Sequence, residues 1–154
     1  MKYSGYAVVM QEIPDEISLA LEITNCPHHC KNCHSPYLRE NIGTELTEEE
    51  INRLIAKNPK VTCILFMGGD KSHKEIAKIA DYIHNKYNYS YLVGMYSGDD
   101  LIDGELLSHL DYYKVGSYCE ERGPLTNPLT NQHLYQILVG NIQDITYKFW
   151  RKQA

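Results

Sequence analysis

Residues 17–34 read ISLALEITNCPHHCKNCH, an apolar segment with strand-like alternation that runs directly into three cysteines, Cys26, Cys30 and Cys33. The alternation from Ile17 to Ile23 predicts a strand with one half-buried face. Such a strand delivers the chain into the cysteine loop at its carboxyl end. Three thiols at Cys-x3-Cys-x2-Cys spacing indicate a metal centre.

The cysteine loop carries the ligands expected of an iron–sulfur cluster. Thiolates usually hold a [4Fe-4S] cluster, so a loop with three cysteines holds three irons and leaves the fourth open to a substrate. Structural zinc takes four protein ligands, usually from two knuckles far apart, and the chain has no second knuckle. His28, His29 or His34 could still complete a local zinc site. A non-catalytic zinc-binding interaction module is therefore the alternative that the residues leave open.

Composition argues against several classes of partner. The chain of 154 residues has 20 acidic and 15 basic side chains, a formal charge of -5 and no basic run. We therefore expect neither nucleic acid nor a membrane as a partner. The N-terminus lacks the apolar segment of a signal peptide, and five cysteines without a secretory context favour reduced thiols. We expect a cytoplasmic protein with a single domain over residues 1–154.

Strand-like and helix-like segments alternate along the rest of the chain. The pattern predicts a helix from Glu48 to Lys57, with Thr47 as N-cap and Glu50 completing a capping box. Further strands are predicted at residues 61–67, 89–96 and 112–117, and further helices at residues 72–87 and 101–109. Residues 132–139 are weakly patterned and could end in an antiparallel hairpin. The alternation predicts an α/β fold with parallel strands.

Small and polar residues follow the ends of the predicted strands. Gly68, Gly69 and Asp70 follow one strand, Ser97 follows the next, and Ser117 ends the last. Ligands of parallel sheets gather outside the carboxyl ends of the strands. We therefore expect these residues and the cysteine loop to meet at one edge of the sheet.

Together these motifs resemble the radical S-adenosylmethionine superfamily and, within it, the activating proteins of anaerobic ribonucleotide reductase. The resemblance rests on CPHHCKNCHSP at residues 26–36, Gly-Gly-Asp at 68–70, YYKVGSY at 112–118 and Thr-Asn-Gln at 130–132. It covers nearly the whole chain. Two positions depart from the superfamily pattern: Asn32 stands where many members have an aromatic residue, and Lys71 stands where proline often follows the acid.

The resemblance implies a fold and a reaction. The fold would be a partial (β/α) barrel of about four to five β/α units with a mainly parallel sheet, open on one side. A reduced [4Fe-4S] cluster would cleave S-adenosyl-L-methionine, and the resulting 5′-deoxyadenosyl radical would take a hydrogen atom from a glycine of the anaerobic (class III) reductase large subunit. The electron would come from an external donor such as flavodoxin or ferredoxin. The closest alternatives are an activase of another glycyl-radical enzyme and a radical enzyme for a small molecule.

The resemblance also assigns roles to the glycine turn. Gly68 and Gly69 would let the main chain approach the methionyl group of the cofactor. The cofactor's ammonium group would meet Asp70 or a backbone carbonyl of the turn. The expected cluster ligands are Cys26, Cys30 and Cys33.

Four further residues receive individual expectations. Ser97 would contact the ribose or the carboxylate of the cofactor, or else cap a helix. His34, directly after the last cluster ligand, would lie near the cofactor or in solvent. Cys63 lies in an apolar strand, where we expect a buried, inert thiol, and Cys119 receives no role.

Overall fold

The computed structural model describes residues 1–150. Its strands are β1 (Lys2–Val9), β2 (Ser18–Ile23), β3 (Thr44–Glu45), β4 (Cys63–Met67), β5 (Leu92–Tyr96), β6 (Tyr112–Val115), β7 (His133–Leu138) and β8 (Asn141–Asp144). Its α-helices are α1 (Glu48–Lys57), α2 (His73–Lys86) and α3 (Gly104–Leu107), and two 3-10 helices lie at Pro36–Arg39 and Thr146–Trp150. None of these helices has the length and apolarity needed to cross a membrane.

The eight strands form one mixed sheet in the order β3-β1-β2-β4-β5-β6-β7-β8. This corrects the expected partial (β/α) barrel with a mainly parallel sheet. Strands β2, β4, β5 and β6 are parallel, but β1 and β3 on one side and β7 and β8 on the other pair antiparallel. Two neighbouring parallel strands usually need a crossover helix between them. The segments that lead into β2 (residues 10–17) and into β7 (residues 116–132) contain no helix, and the strands that they join pair antiparallel.

Several predicted elements are confirmed. Helix α1 covers the predicted residues 48–57, and its N-cap, Thr47, accepts a hydrogen bond from Glu50 N at 3.1 Å. The Glu50 side chain does not complete the capping box, because it binds Tyr3 and Arg53 instead. The C-terminal hairpin is also present, as β7 and β8.

The α-helices cover only one face of the sheet. Alternation along β2 sends Leu19 and Leu21 into the main core beneath the α-helices. Ala20 points to the opposite face, where it joins a smaller cluster with Leu65 and Leu134. We call this second side the helix-free face, because α1, α2 and α3 contribute nothing to its cluster. The loop that contains Ile13 and the 3-10 helix that contains Phe149 cover it instead.

Candidate metal centre

The cysteine loop is anchored by its own main chain. Asn25 N donates to Glu40 O at 3.0 Å, and Cys26 N donates to Leu38 O at 2.9 Å. Asn25 has a φ of 64°, in the left-handed region that asparagine tolerates better than most residues. The loop is therefore closed at its base, immediately after β2.

The three loop thiols are free and partly exposed. Burial raises the pKa of the Cys26 thiol, and the nearby charges of Asp70, Cys30 and Cys33 raise it further, since each disfavours another negative charge. Ser35 N donates to Cys33 Sγ at 3.4 Å, a contact of the kind that orients a metal-bound thiolate.

The three thiols do not all lie within 4.8 Å of one another. Among residues 1–150, the group of possible ligand atoms that meets this limit is His28, Asp70 and Asp99, with no cysteine. A [4Fe-4S] cluster takes one thiolate at each iron that the protein holds, so its ligands do not need to converge on a single ion.

The glycine turn ends β4 beside this loop. Gly68 and Gly69 have φ values of 100° and 104°, which favour glycine strongly. A Cβ on Gly69 would lie 2.5 Å from Ile76 Cδ1. The main chain can follow this path only because neither residue has a side chain.

The Asp70 carboxylate ties together loops from three parallel strands. It accepts hydrogen bonds from Ser97 Oγ at 2.6 Å and Gly98 N at 2.9 Å, after β5. It also lies 2.7 Å from His28 Nε2 in the cysteine loop, and its side chain is 2% exposed. Burial alone would raise the pKa of Asp70, but these partners and His73 lower it. The carboxylate is thus ionised, and its oxygens are occupied by protein donors. In the same turn, Gly69 O accepts a hydrogen bond from Ser72 N at 2.8 Å.

Two histidines complete this network, and the sequence motifs predict neither of their roles in it. His28 Nε2 lies 3.3 Å from Asp99 Oδ1 as well as next to Asp70. His73 connects Asp70 Oδ1, at 3.3 Å, to Asp103 Oδ2, at 2.8 Å. Burial alone would lower the pKa of His73, but the two carboxylates outweigh it and raise the pKa. Nothing in the local sequence indicates these long-range pairs.

Ser97 and His34 take different positions in the site. Ser97 is buried, and its hydroxyl belongs to the Asp70 network. The alternative expectation, that it caps a helix, is wrong because Asp103 caps α3. His34 is exposed, and its ring lies 5.4 Å from the ring of Tyr118.

A buried cation approaches the same edge from β6. Lys114 Nζ donates to Ser97 O and Gly116 O, both at 3.0 Å. Burial lowers the pKa of Lys114 to about 8, although Asp70 and Cys30 attract the charged form. The sequence contained a signal for this residue, a lysine inside a strand of otherwise apolar and aromatic residues. It holds positive charge close to the cysteine loop.

The two remaining cysteines differ in environment. Cys63 is fully buried, and burial raises the pKa of its thiol well above the ordinary range, which confirms the expected inert thiol. Cys119 is partly exposed. Its neighbour Glu120 accepts a hydrogen bond from Asn32 of the cysteine loop at 2.6 Å.

Comparison with known proteins supports the cluster. No curated protein and no solved structure matches the chain. Residues 17–139 match the family described as the 4Fe-4S single cluster domain, a span that starts just before β2 and contains the cysteine loop and the glycine turn. The match covers well over half of the chain. The chain is therefore an iron–sulfur protein and belongs to the 4Fe-4S single cluster domain family.

Proposed function

We propose that the protein is a radical S-adenosylmethionine activase that generates the glycyl radical on anaerobic (class III) ribonucleotide reductase. The observation that carries the proposal is the three-cysteine loop set beside a glycine turn, at the ends of adjacent parallel strands. Three thiolates leave one iron of the cluster without a protein ligand. The family match supports the cluster, whereas the cofactor and the partner belong to the proposal.

When bound, the cluster supplies one-electron cleavage of the carbon–sulfur bond of S-adenosyl-L-methionine. The residues of the chain would hold the cofactor in position. Gly68 and Gly69 leave room for the amino-acid part of the cofactor, and the Gly68 carbonyl would accept a hydrogen bond from its ammonium group. Asp70, with its oxygens occupied by protein donors, keeps the turn and the cysteine loop in fixed relation. Ser97 contributes to this arrangement through its hydrogen bond to Asp70.

An open sheet suits a protein substrate. Pockets for small molecules usually enclose most of the ligand, whereas this sheet has free edges at β3 and β8 and does not close. A glycine-bearing loop of a partner can approach such a site from the helix-free face. The electron would come from an external donor such as flavodoxin or ferredoxin.

The test is anaerobic reconstitution with iron and sulfide, followed by reduction and electron paramagnetic resonance with and without S-adenosyl-L-methionine. We expect about four irons and four sulfides per chain, a signal that changes when the cofactor is added, and formation of 5′-deoxyadenosine. Addition of the reductase large subunit should then produce a glycyl-radical signal.

The steps of this experiment separate the parts of the proposal. A cluster that neither responds to the cofactor nor forms 5′-deoxyadenosine would rule out the activase. Formation of 5′-deoxyadenosine with no radical on the reductase would rule out that partner and leave another glycyl-radical enzyme as the substrate.

A further inference from the structure

A groove of about 310 Å³ lies on the helix-free face beside the cysteine loop. Its floor includes Val9 of β1, Ala20 of β2 and Met67 of β4. Leu38, from the 3-10 helix that closes the cysteine loop, forms part of its wall. The groove therefore runs from the middle of the sheet towards the candidate metal centre and is mostly apolar.

Two carboxylates line this groove, and among residues 1–150 neither forms a close ion pair with a lysine or arginine, although Glu12 attracts the charge of Lys114. Glu12 and Glu22 both face it. Glu22 accepts hydrogen bonds from two uncharged groups, Ser4 Oγ at 3.1 Å and Tyr37 OH at 2.9 Å. Within residues 1–150, the lysine and arginine side chains that form ion pairs do so with other acids. Two negative charges in an apolar recess create a potential that attracts a cation.

The rim of the groove has the composition of a binding surface. Tyr6 lines the groove and is 41% exposed, and Tyr37, whose hydroxyl binds Glu22, is 46% exposed. Tyrosine is enriched in protein interfaces, and exposed apolar side chains that flank a polar recess often mark one. The long apolar stems of lysine and arginine can lie on an apolar floor while their charged ends reach a carboxylate.

We propose that this groove binds an extended, basic segment of the partner protein, with a lysine or arginine side chain lying over Ala20 and Met67 and its charged end between Glu12 and Glu22. This inference rests on the proposed function, because it takes the glycyl-radical protein as the partner. It adds the chemistry by which that partner is recognised. The segment's position beside the cysteine loop brings its glycine towards the candidate metal centre.

The test compares two double variants that lose the same charge. Glu12→Gln with Glu22→Gln removes both groove carboxylates, while Gln keeps an acceptor for the Ser4 and Tyr37 hydroxyls. Glu49→Gln with Glu105→Gln removes two exposed carboxylates from the helices. The affinity of each for the reductase large subunit is measured by anaerobic biolayer interferometry, with iron content and melting temperature as checks on folding. We expect an affinity loss of at least tenfold for the groove variant alone.

A second measurement uses the unmodified chain and changes the partner. Each lysine and arginine in the glycine-bearing segment of the reductase is replaced by Gln, and one replacement should reproduce the tenfold loss. Glu22→Lys should then recover binding when that basic residue is changed to Glu.

Three results would overturn the inference. Unchanged affinity of the groove variant would do so, as would an equal loss in both double variants, which would indicate a diffuse charge effect. A weaker affinity for S-adenosyl-L-methionine in equilibrium dialysis, with partner affinity retained, would assign the groove to the cofactor. Formation of 5′-deoxyadenosine by the unmodified protein alone reports on the proposed function separately, so a failure there is distinguished from a failure of the groove.

Discussion

The central and flanking strands of this sheet differ in what their ends carry. The central strands β2, β4 and β5 end in the cysteine loop, the glycine turn and Ser97, which are joined through Asp70. The flanking strands β7 and β8 end in a hairpin whose tip exposes Leu138 and Val139. Neighbouring parallel strands place all of their carboxyl ends at the same edge of the sheet. An antiparallel hairpin places together only the ends of its own two strands. This difference explains why the candidate chemistry lies at the centre.

The strongest test of this difference removes a central thiol. We expect Cys30→Ala to abolish cluster assembly, because two thiolates cannot hold three irons of the cluster. Cys119→Ser, outside the loop, should keep full iron content. Iron and sulfide are measured per chain after anaerobic reconstitution. Equal loss in both variants would contradict a ligand set confined to the cysteine loop.

Two glycines with positive φ allow the backbone strain at the centre of the sheet to be compared with that at its flank. Gly69→Ala should destabilise the protein by about 3–5 kcal/mol, because it adds left-handed strain and a steric clash. Gly140, in the β7–β8 turn, also has a positive φ, of 72°, but a Cβ there meets nothing within 4 Å. Gly140→Ala should therefore cost only about 1 kcal/mol. Urea unfolding of the metal-free proteins measures the free energy of unfolding of both variants. Equal losses would contradict the difference in strain between the centre and the flank.

Two aspartates with similar partners sharpen the comparison. Asp144 in β8 binds Thr146 and His133, much as Asp70 binds Ser97 and His28, but its side chain is 43% exposed and that of Asp70 is 2% exposed. Asp70→Ala leaves several buried donors without a partner and should cost about 3 kcal/mol, against about 1 kcal/mol for Asp144→Ala. The same unfolding experiment measures both. Similar costs would mean that burial does not set the strength of these networks.

The smallest effect concerns the pH dependence of Lys114. Its pKa of about 8 lies below the ordinary value of 10.5, so the unfolded chain binds more protons between these values and the stability of the folded protein rises with pH. Relative to Lys114→Met, the native protein should gain about 1–2 kcal/mol between pH 7 and about pH 9.5. The control is the matching change Lys148→Met, because Lys148 lies on the flank, where it pairs with Asp15 at 3.2 Å. A parallel pH profile for native protein and Lys114→Met would show that Lys114 stays protonated throughout.

Local signals in the sequence predicted part of the fold. Helix α1 and its Thr47 cap follow from neighbouring residues, and the central strands follow from apolar runs. Strand β1 was missed because Ser4 and Gly5 interrupt its apolar pattern and a bulge lies between Tyr3 and Tyr6. The prediction of a partial barrel was wrong because it came from the family resemblance. The connections to the flanking strands determine that the sheet is mixed.

Residue types and spacing predicted the cysteines and the glycine turn but not the network around them. His28 is 42 positions from Asp70, and His73 is 30 positions from Asp103. Single histidines give no periodic signal, so only the folded chain reveals such pairs. For the same reason the sequence could not show that the oxygens of Asp70 are already occupied by protein donors.

The closure of the cysteine loop by Asn25 and Cys26 bears on how this protein survives damage. In small zinc domains, loss of the metal means loss of the fold. Here the main-chain bonds to Glu40 and Leu38 close the cysteine loop, and the sheet beneath it has its own apolar core. We therefore expect the fold to outlast the loss of a bound cluster, so that the same chain can take up a new one.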